Sequence, residues 1–211
     1  MSIADDIREE RGRLLASLRS VGPGAATLAG PWATSDLASH IAAQDRLQGL
    51  PVFLARSFVA ITGQRLSALY LDRPRVARVV NGPKQSWARS LELLDRPPSR
   101  ILMRPQVAPI TLWEHYVHHE DVLRANELGR PGLPDLEPVF DWILRYNAPR
   151  LPADVRTKLR GETAEVKSNQ ETIISGPIAE VVLWMSGREA AIAEFVQATP
   201  ENERLRGRLR V

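Results

Sequence analysis

All four histidines of this 211-residue chain lie in two short segments that are far apart in the sequence. One segment is WATSDLASH, Trp32–His40, and the other is EHYVHHED, Glu114–Asp121. Both segments also carry carboxylates, and imidazoles grouped with carboxylates are typical of metal sites. If one ion binds both segments, the fold must pack two distant elements against each other.

Helical spacing limits which residues of the second segment can share an ion. Glu114 and His118 are four residues apart, so on a helix their side chains lie on one face. His115 and His119 have the same spacing on a neighbouring face. His40 by itself is more often a hydrogen-bonded core histidine than a ligand. Either pair could bind an ion together with His40, and spacing alone does not separate the two registers.

The composition is that of a globular chain with a core, since 44% of the residues are hydrophobic and 25% are charged. The chain has no Cys, which excludes disulfides, thiolate ligands and an internal sulfur nucleophile. Any thiol chemistry therefore needs an external thiol. The net charge of +3 is modest and disfavours nucleic acid as a partner.

Targeting signals are not evident in the sequence. The first 21 residues do not have the pattern of a signal peptide, and no stretch approaches the roughly 20 apolar residues of a membrane span. We therefore expect a cytoplasmic protein without a membrane partner. The oligomeric state is left open, with a homodimer as one candidate.

Hydrophobic periodicity predicts four helices in the first part of the chain. They are expected over residues 3–18, 34–47, 83–94 and 110–128. Gly22 should end the first helix and Gly129 the fourth. A hydroxyl of Thr34 or Ser35 should cap the second. The boundaries within residues 50–80 remain open. Four helices joined by loops favour a bundle, an architecture in which metal ligands project inward from facing helices.

The pattern changes after Pro134. We expect a helix over residues 136–146, two short strands within 155–174, a helix from Pro177 to about 197, and an edge strand over 204–211. Gly161 and Asn169 are the turn signals of the strand region. Alternating Arg in the last segment is typical of a solvated strand edge. The chain is thus predicted to have a four-helix metal-binding bundle over residues 1–133 and a small α/β C-terminal domain over residues 134–211.

The two histidine segments together resemble the DinB-like metalloproteins, and specifically the mycothiol-dependent maleylpyruvate isomerase family. The segment SGPIAEVVLWMSGR, Ser175–Arg188, resembles the C-terminal domain of that family. The resemblance implies a mainly α fold, with a DinB-like four-helix bundle followed by a small α/β domain. It also implies that the metal ligands are His40, Glu114 and His118, which selects the first register.

Two His and one Glu leave the fourth position of a tetrahedral ion open, and zinc is the ion expected first. Nickel, iron and manganese accept the same ligand types. Such an ion stabilises a thiolate. Together with the resemblance, this predicts a mycothiol-dependent enzyme that carries out cis-trans isomerisation or thiol transfer on an electrophilic small molecule. A zinc-dependent hydrolase that activates water and a non-enzymatic metal-binding protein are the alternatives.

Three further residues are candidates for supporting roles. Arg188 is the first candidate for a catalytic contact with a substrate carboxylate, because guanidinium binds carboxylate through two hydrogen bonds. The alternative interpretation is that Arg188 is a solvent-facing helix residue. A ligand imidazole could be oriented through its second nitrogen by Asp36, one turn before His40, or by Asp121, three residues after His118.

Overall fold

The computed structural model describes residues 2–46, 85–147, 156–160, 163–168, 171–188 and 197–198. These residues fall into two compact units, one up to Asp135 and the other from Leu136 onward. The fold is mainly helical and includes a small antiparallel sheet. Within the described residues, no helix is both long and apolar enough to cross a membrane. The tract 50–80 and the predicted edge strand over 204–211 lie outside the described residues.

Four helices make up the first unit. They are α1 (Ile3–Val21), α2 (Thr34–Asp45), α3 (Trp87–Asp95) and α4 (Ala108–Ala125). Helix α1 packs against α3 and α4, and α2 also packs against α3 and α4. Their shared core includes Leu14, Leu37, Ile41, Leu94 and Val122. This packing places α2 and α4, which carry the two histidine segments, next to each other.

Two ends of these helices show how local capping determines their limits. Helix α1 ends at Gly22, which has a φ of 82° and donates its N–H to Leu18 O, so the predicted glycine stop is confirmed. The predicted hydroxyl cap of α2 is wrong. The N-cap is Ala33, whose N–H donates to the carboxylate of Asp36 at 3.2 Å.

Helices α3 and α4 are shorter than the sequence pattern predicts. Helix α3 begins at Trp87 because Ser86 is extended and its hydroxyl accepts from the N–H of Arg89, so the predicted start at residue 83 is wrong. The predicted end of α4 at residue 128 is also wrong. Asn126 is the C-cap, and its side-chain amide donates to Val122 O at 2.8 Å. That hydrogen bond satisfies a carbonyl of the last turn, so the helix ends before it reaches the predicted stop at Gly129.

The second unit combines two helices with the sheet. The helices are α5 (Glu137–Asn147) and α6 (Ile178–Met185), and the strands are β1 (Arg156–Arg160), β2 (Thr163–Ser168), β3 (Glu171–Pro177) and β4 (Gln197–Ala198). The strand order is β1-β2-β3-β4, and each neighbouring pair is antiparallel. Helix α6 packs against β2, β3 and α5. Ala164 and Val166 of β2 and Val182 of α6 are buried in this unit.

Two predictions for this unit need correction. The tract 155–174 contains parts of three strands instead of two, since β3 adds a β-branched segment that pairs with β2. The predicted helix from Pro177 to 197 ends at Met185. Gly187 has a φ of 82° and donates to Trp184 O, while the N–H of Arg188 donates to Leu183 O. This pair of bonds is a Schellman motif, which terminates a helix.

Candidate metal centre

Helix α4 buries an unusual number of polar side chains. Seven of them are less than 9% exposed, namely Thr111, Glu114, His115, His118, His119, Glu120 and Asp121. Buried polar groups cost free energy unless they have partners, so the neighbouring elements must supply them. The histidines of α4 face three different sets of partners.

The first set brings α2 and α4 together. The Nε2 atom of His118 lies 3.5 Å from Oε2 of Glu114, and the Nε2 atom of His40 lies 3.9 Å from the same oxygen. One ligand atom from each of the three side chains lies within 4.8 Å of the other two. All three side chains are buried. This group could therefore hold a metal ion.

The separations fit a single small ion. Two donors at the Zn–N and Zn–O distances of a tetrahedral site are about 3.3 Å apart. The observed contacts of 3.5 and 3.9 Å approach that value, and the group as a whole, with ligand atoms within 4.8 Å of one another, would have to contract on binding an ion. In addition, Nε2 of His118 is buried and has no hydrogen-bond partner. A cation bound between the three groups would satisfy that nitrogen.

Asp121 fixes the orientation of one ligand. Its Oδ2 atom lies 2.9 Å from Nδ1 of His118, which leaves Nε2 directed at the site. Burial by itself lowers the pKa of His118, but the hydrogen bond with Asp121 and the nearby negative charge of Glu114 outweigh burial and raise the pKa above its ordinary value. The surroundings thus favour positive charge at this position. Asp36 accepts a hydrogen bond from the backbone N–H of Ala33, and Asp121 is a carboxylate that the structure places against the imidazole of a candidate ligand.

His115 belongs to a separate buried network. Its Nε2 atom lies 3.1 Å from Oδ1 of Asp45, and Oδ2 of Asp45 accepts from Nε of Arg11 at 2.7 Å. Arg11 also donates to Leu93 O at 3.0 Å. Burial raises the pKa of Asp45, but the charges and hydrogen bonds of His115 and Arg11 have the larger, opposite effect. The pKa of Asp45 therefore lies below its ordinary value. This network links all four helices of the first unit.

His119 lies in another network, against α1. Its Nδ1 atom is 2.8 Å from Oε1 of Glu10, and its Nε2 atom is 3.0 Å from the hydroxyl of Ser17. Arg130 donates to the same Glu10 oxygen at 2.6 Å and to Glu120 at 2.7 Å. Both ring nitrogens of His119 are thus occupied. The structure brings together the residues of the first register and assigns those of the second to ion networks.

Trp32 covers the candidate metal centre from the loop before α2. Its ring centroid lies 4.9 Å from that of His40 and 6.5 Å from that of His118. The loop is fixed by a bridge between Ala26 and Ala33, and the N–H of Leu28 donates to the backbone oxygen of Asp121 on α4. The half-buried indole therefore shields the two imidazoles from water.

Glu10, Arg11 and Asp45 were not among the candidates from the sequence. A signal for two of them was present, because Glu10 and Arg11 interrupt the apolar stripe of α1 between Ile7 and Leu14. Charged residues at such positions are buried and need partners. Their partners lie on other helices, so the pattern of α1 could not identify them.

Arg188 lies in the second unit, in the turn that follows α6. Its Nη1 atom donates to Ser186 O at 3.1 Å. This contact gives the side chain a local role in the turn.

Comparisons of the chain with protein-family models, curated proteins and solved structures find no match.

Proposed function

We propose that this protein is a cytoplasmic metal-dependent enzyme that activates a low-molecular-weight thiol, mycothiol in the first place. The reaction we propose is cis-trans isomerisation or thiol transfer on an electrophilic small molecule. The observation that supports it most is the buried group of His40, Glu114 and His118.

The ligand set supports a catalytic site in preference to a purely structural one. Three protein ligands leave one position of a tetrahedral ion for an exogenous group, whereas structural zinc sites are closed by four protein ligands. We propose zinc as the ion because imidazole and carboxylate ligands suit it. When bound, a divalent ion supplies the positive charge that stabilises a thiolate.

The protein's own residues provide the environment for that chemistry. Asp121 holds the imidazole of His118 in place through Nδ1. Trp32 excludes water from one side of the centre, which strengthens electrostatic interactions inside it. Because the chain has no Cys, the thiol must come from outside.

The resemblance to the mycothiol-dependent maleylpyruvate isomerase family is the reason for naming mycothiol. We therefore also propose the fold type of that family, a DinB-like four-helix bundle with a small α/β C-terminal domain. The helices α1 to α4 and the sheet of the second unit are compatible with it.

The test is turnover of a panel of electrophilic substrates by zinc-loaded protein, with and without mycothiol. We expect turnover only when both zinc and thiol are present, and none in Glu114→Gln. The matched control is Glu137→Gln, an exposed glutamate in the first turn of α5, which should keep full activity. A cobalt-loaded sample should also gain a sulfur-to-metal charge-transfer band on addition of mycothiol.

Two results would contradict the proposal. Hydrolysis that does not depend on thiol would favour the water-activating enzyme. A metal-loaded protein that turns over no substrate and shows no spectral response to mycothiol would favour a non-enzymatic metal-binding protein.

A further inference from the structure

The two helices that carry the candidate ligands use the same spacing. On α4, Glu114 and His118 are four residues apart, and on α2 the same interval separates His40 from Gln44. Side chains at this interval on a helix lie side by side, so each helix can present two polar groups to one ion. Three of these residues form the candidate metal centre. Gln44 is the fourth member of the two pairs.

The carboxamide of Gln44 lies against the nitrogen of His40 that faces Glu114. Its Nε2 atom is 3.0 Å from Nε2 of His40, and that nitrogen is 3.9 Å from Oε2 of Glu114. Two ligand atoms on one tetrahedral zinc ion are about 3.3 Å apart. The end of the Gln44 side chain is therefore close to the separation from His40 that a shared ion requires.

This contact has to change when an ion binds. An amide nitrogen only donates, so Nε2 of His40 accepts in the contact with Gln44. The same lone pair of His40 binds the ion, which leaves the N–H of Gln44 without its acceptor and beside a cation. Turning the terminal amide by half a rotation replaces its nitrogen with its oxygen. Carboxamide oxygens are established ligands of divalent ions.

Such a turn needs little room. Gln44 and Glu114 both line a small space that holds about one water molecule, and Gln44 itself is half-buried. The nitrogen and oxygen of a carboxamide are nearly equal in size, so the rotated group has almost the same outline. The oxygen of Gln44 can thus face the metal centre while the side chain stays in place.

Resting on the metal site of the proposed function, we propose that Gln44 is a fourth, displaceable ligand. Its Oε1 atom occupies the remaining position until an exogenous thiolate replaces it. Water is also a neutral oxygen ligand, but the carboxamide has the higher effective concentration because it is attached one turn from His40. Thiolate is the softer ligand and suits zinc better than a carbonyl oxygen does, so it displaces the amide.

The test compares cobalt-loaded full-length wild type with Gln44→Leu, in the absence of any thiol. Cobalt affinity is measured by competition with a chelating dye, and azide, a small anion, is titrated while the visible cobalt spectrum is followed. Gln44→Leu should bind cobalt about tenfold or more weakly, at least the usual cost of an outer-shell partner. It should bind azide about tenfold more tightly, because a competing ligand lowers the apparent affinity of wild type.

Three further variants make the comparison specific. Gln44→Glu supplies an anionic ligand, so it should bind cobalt at least as tightly as wild type and azide more weakly. Gln44→Asn is one methylene shorter and should behave like Gln44→Leu, which it replaces in the test if the leucine variant does not fold. The matched control is Gln106→Leu, an exposed glutamine before α4, which should leave both affinities unchanged.

Each other outcome overturns the proposal. Tighter cobalt binding in Gln44→Leu would mean that Gln44 only competes with the ion for His40. Weaker cobalt binding with unchanged azide affinity would contradict a displaceable ligand, and no change in either affinity would contradict any ligand role. Wild type that takes up no cobalt would refute the metal site and this inference together. Failure of thiol activation alone would leave the azide results unaffected, so the two proposals can fail separately.

Discussion

At the residue scale, the two nitrogens of His118 have different environments. Nδ1 is held by Asp121 at 2.9 Å, whereas Nε2 is buried without a hydrogen bond and faces Glu114. Carboxylates that bind the second nitrogen of a ligand histidine fix the ring and increase its basicity. Asp121 therefore supports the candidate metal centre by orienting one of its three possible ligands.

The substitution Asp121→Asn should weaken metal binding without abolishing it. The amide keeps the size of the side chain but removes the negative charge behind the ring, and such changes typically cost about 10–100-fold in affinity. Competition with a chelating dye measures the effect. Asp36→Asn is the matched control, since Asp36 caps α2 and should change only stability. Equal losses in both variants would contradict a specific role for Asp121.

Trp32 should report directly on the ion. Its ring lies against both candidate histidine ligands, so a bound cobalt or copper ion should quench its fluorescence. Trp32→Phe should remove most of the metal-induced quenching. Trp142→Phe, in the second unit, should retain it. If the quenching persists in Trp32→Phe and disappears in Trp142→Phe, the ion binds elsewhere.

At the element scale, buried ion networks join helices that are distant in the sequence. Arg11 of α1 contacts Asp45 of α2 and the backbone of Leu93 in α3, and Asp45 contacts His115 of α4. Removing one member of a buried charge pair leaves the other uncompensated. Such networks help to hold α2 and α4, which carry the candidate metal ligands, next to each other.

Arg11→Met should destabilise the protein by about 3–5 kcal/mol, because Asp45 would remain buried with a weaker set of partners. Denaturant unfolding, followed by circular dichroism, measures the change. Arg8→Met is the control on the same helix, since the ion pair of Arg8 with Asp5 is exposed. It should change the free energy of unfolding very little. Similar losses in the two variants would refute the importance of the buried network.

The sequence predicted the presence of the helices better than it predicted where they end. The glycine at 22 was sufficient to place the end of α1, because it adopts positive φ without strain. The end of α4 could not be placed in this way, since Asn126 ends it through a side-chain contact with Val122. The choice between His118 and His115 depended on Asp45 of another helix, a tertiary contact that spacing within α4 cannot show.

At the scale of the whole molecule, acid should destabilise the fold through two buried carboxylates. Burial raises the pKa of Glu10, but His119 and Arg130 have the larger, opposite effect, so the pKa is lowered overall. The pKa of Asp45 is lowered in the same way by His115 and Arg11. Arg13 also faces Glu10, at 3.7 Å. A carboxyl with a lowered pKa stabilises the folded state above its unfolded-state pKa of about 4. That contribution disappears as the pH falls through the folded-state pKa.

We therefore expect the free energy of unfolding of metal-free protein to fall steadily as the pH is lowered from 5 toward 2, the acid range in which such carboxyls titrate. Denaturant titrations at each pH, in the presence of a chelator, test this. Glu10→Gln should be less stable at neutral pH and should show a shallower pH dependence. A variant with an unchanged slope would contradict the contribution of Glu10.

The metal content of six purified proteins tests the central claim most directly. Wild type, His115→Gln and His119→Gln should each bind about one zinc ion per chain, as a single three-ligand site requires. His40→Ala, Glu114→Gln and His118→Ala should bind far less while keeping the helical circular dichroism spectrum. Full metal content in His40→Ala or His118→Ala, or a loss confined to His115→Gln, would contradict a metal centre built from His40, Glu114 and His118.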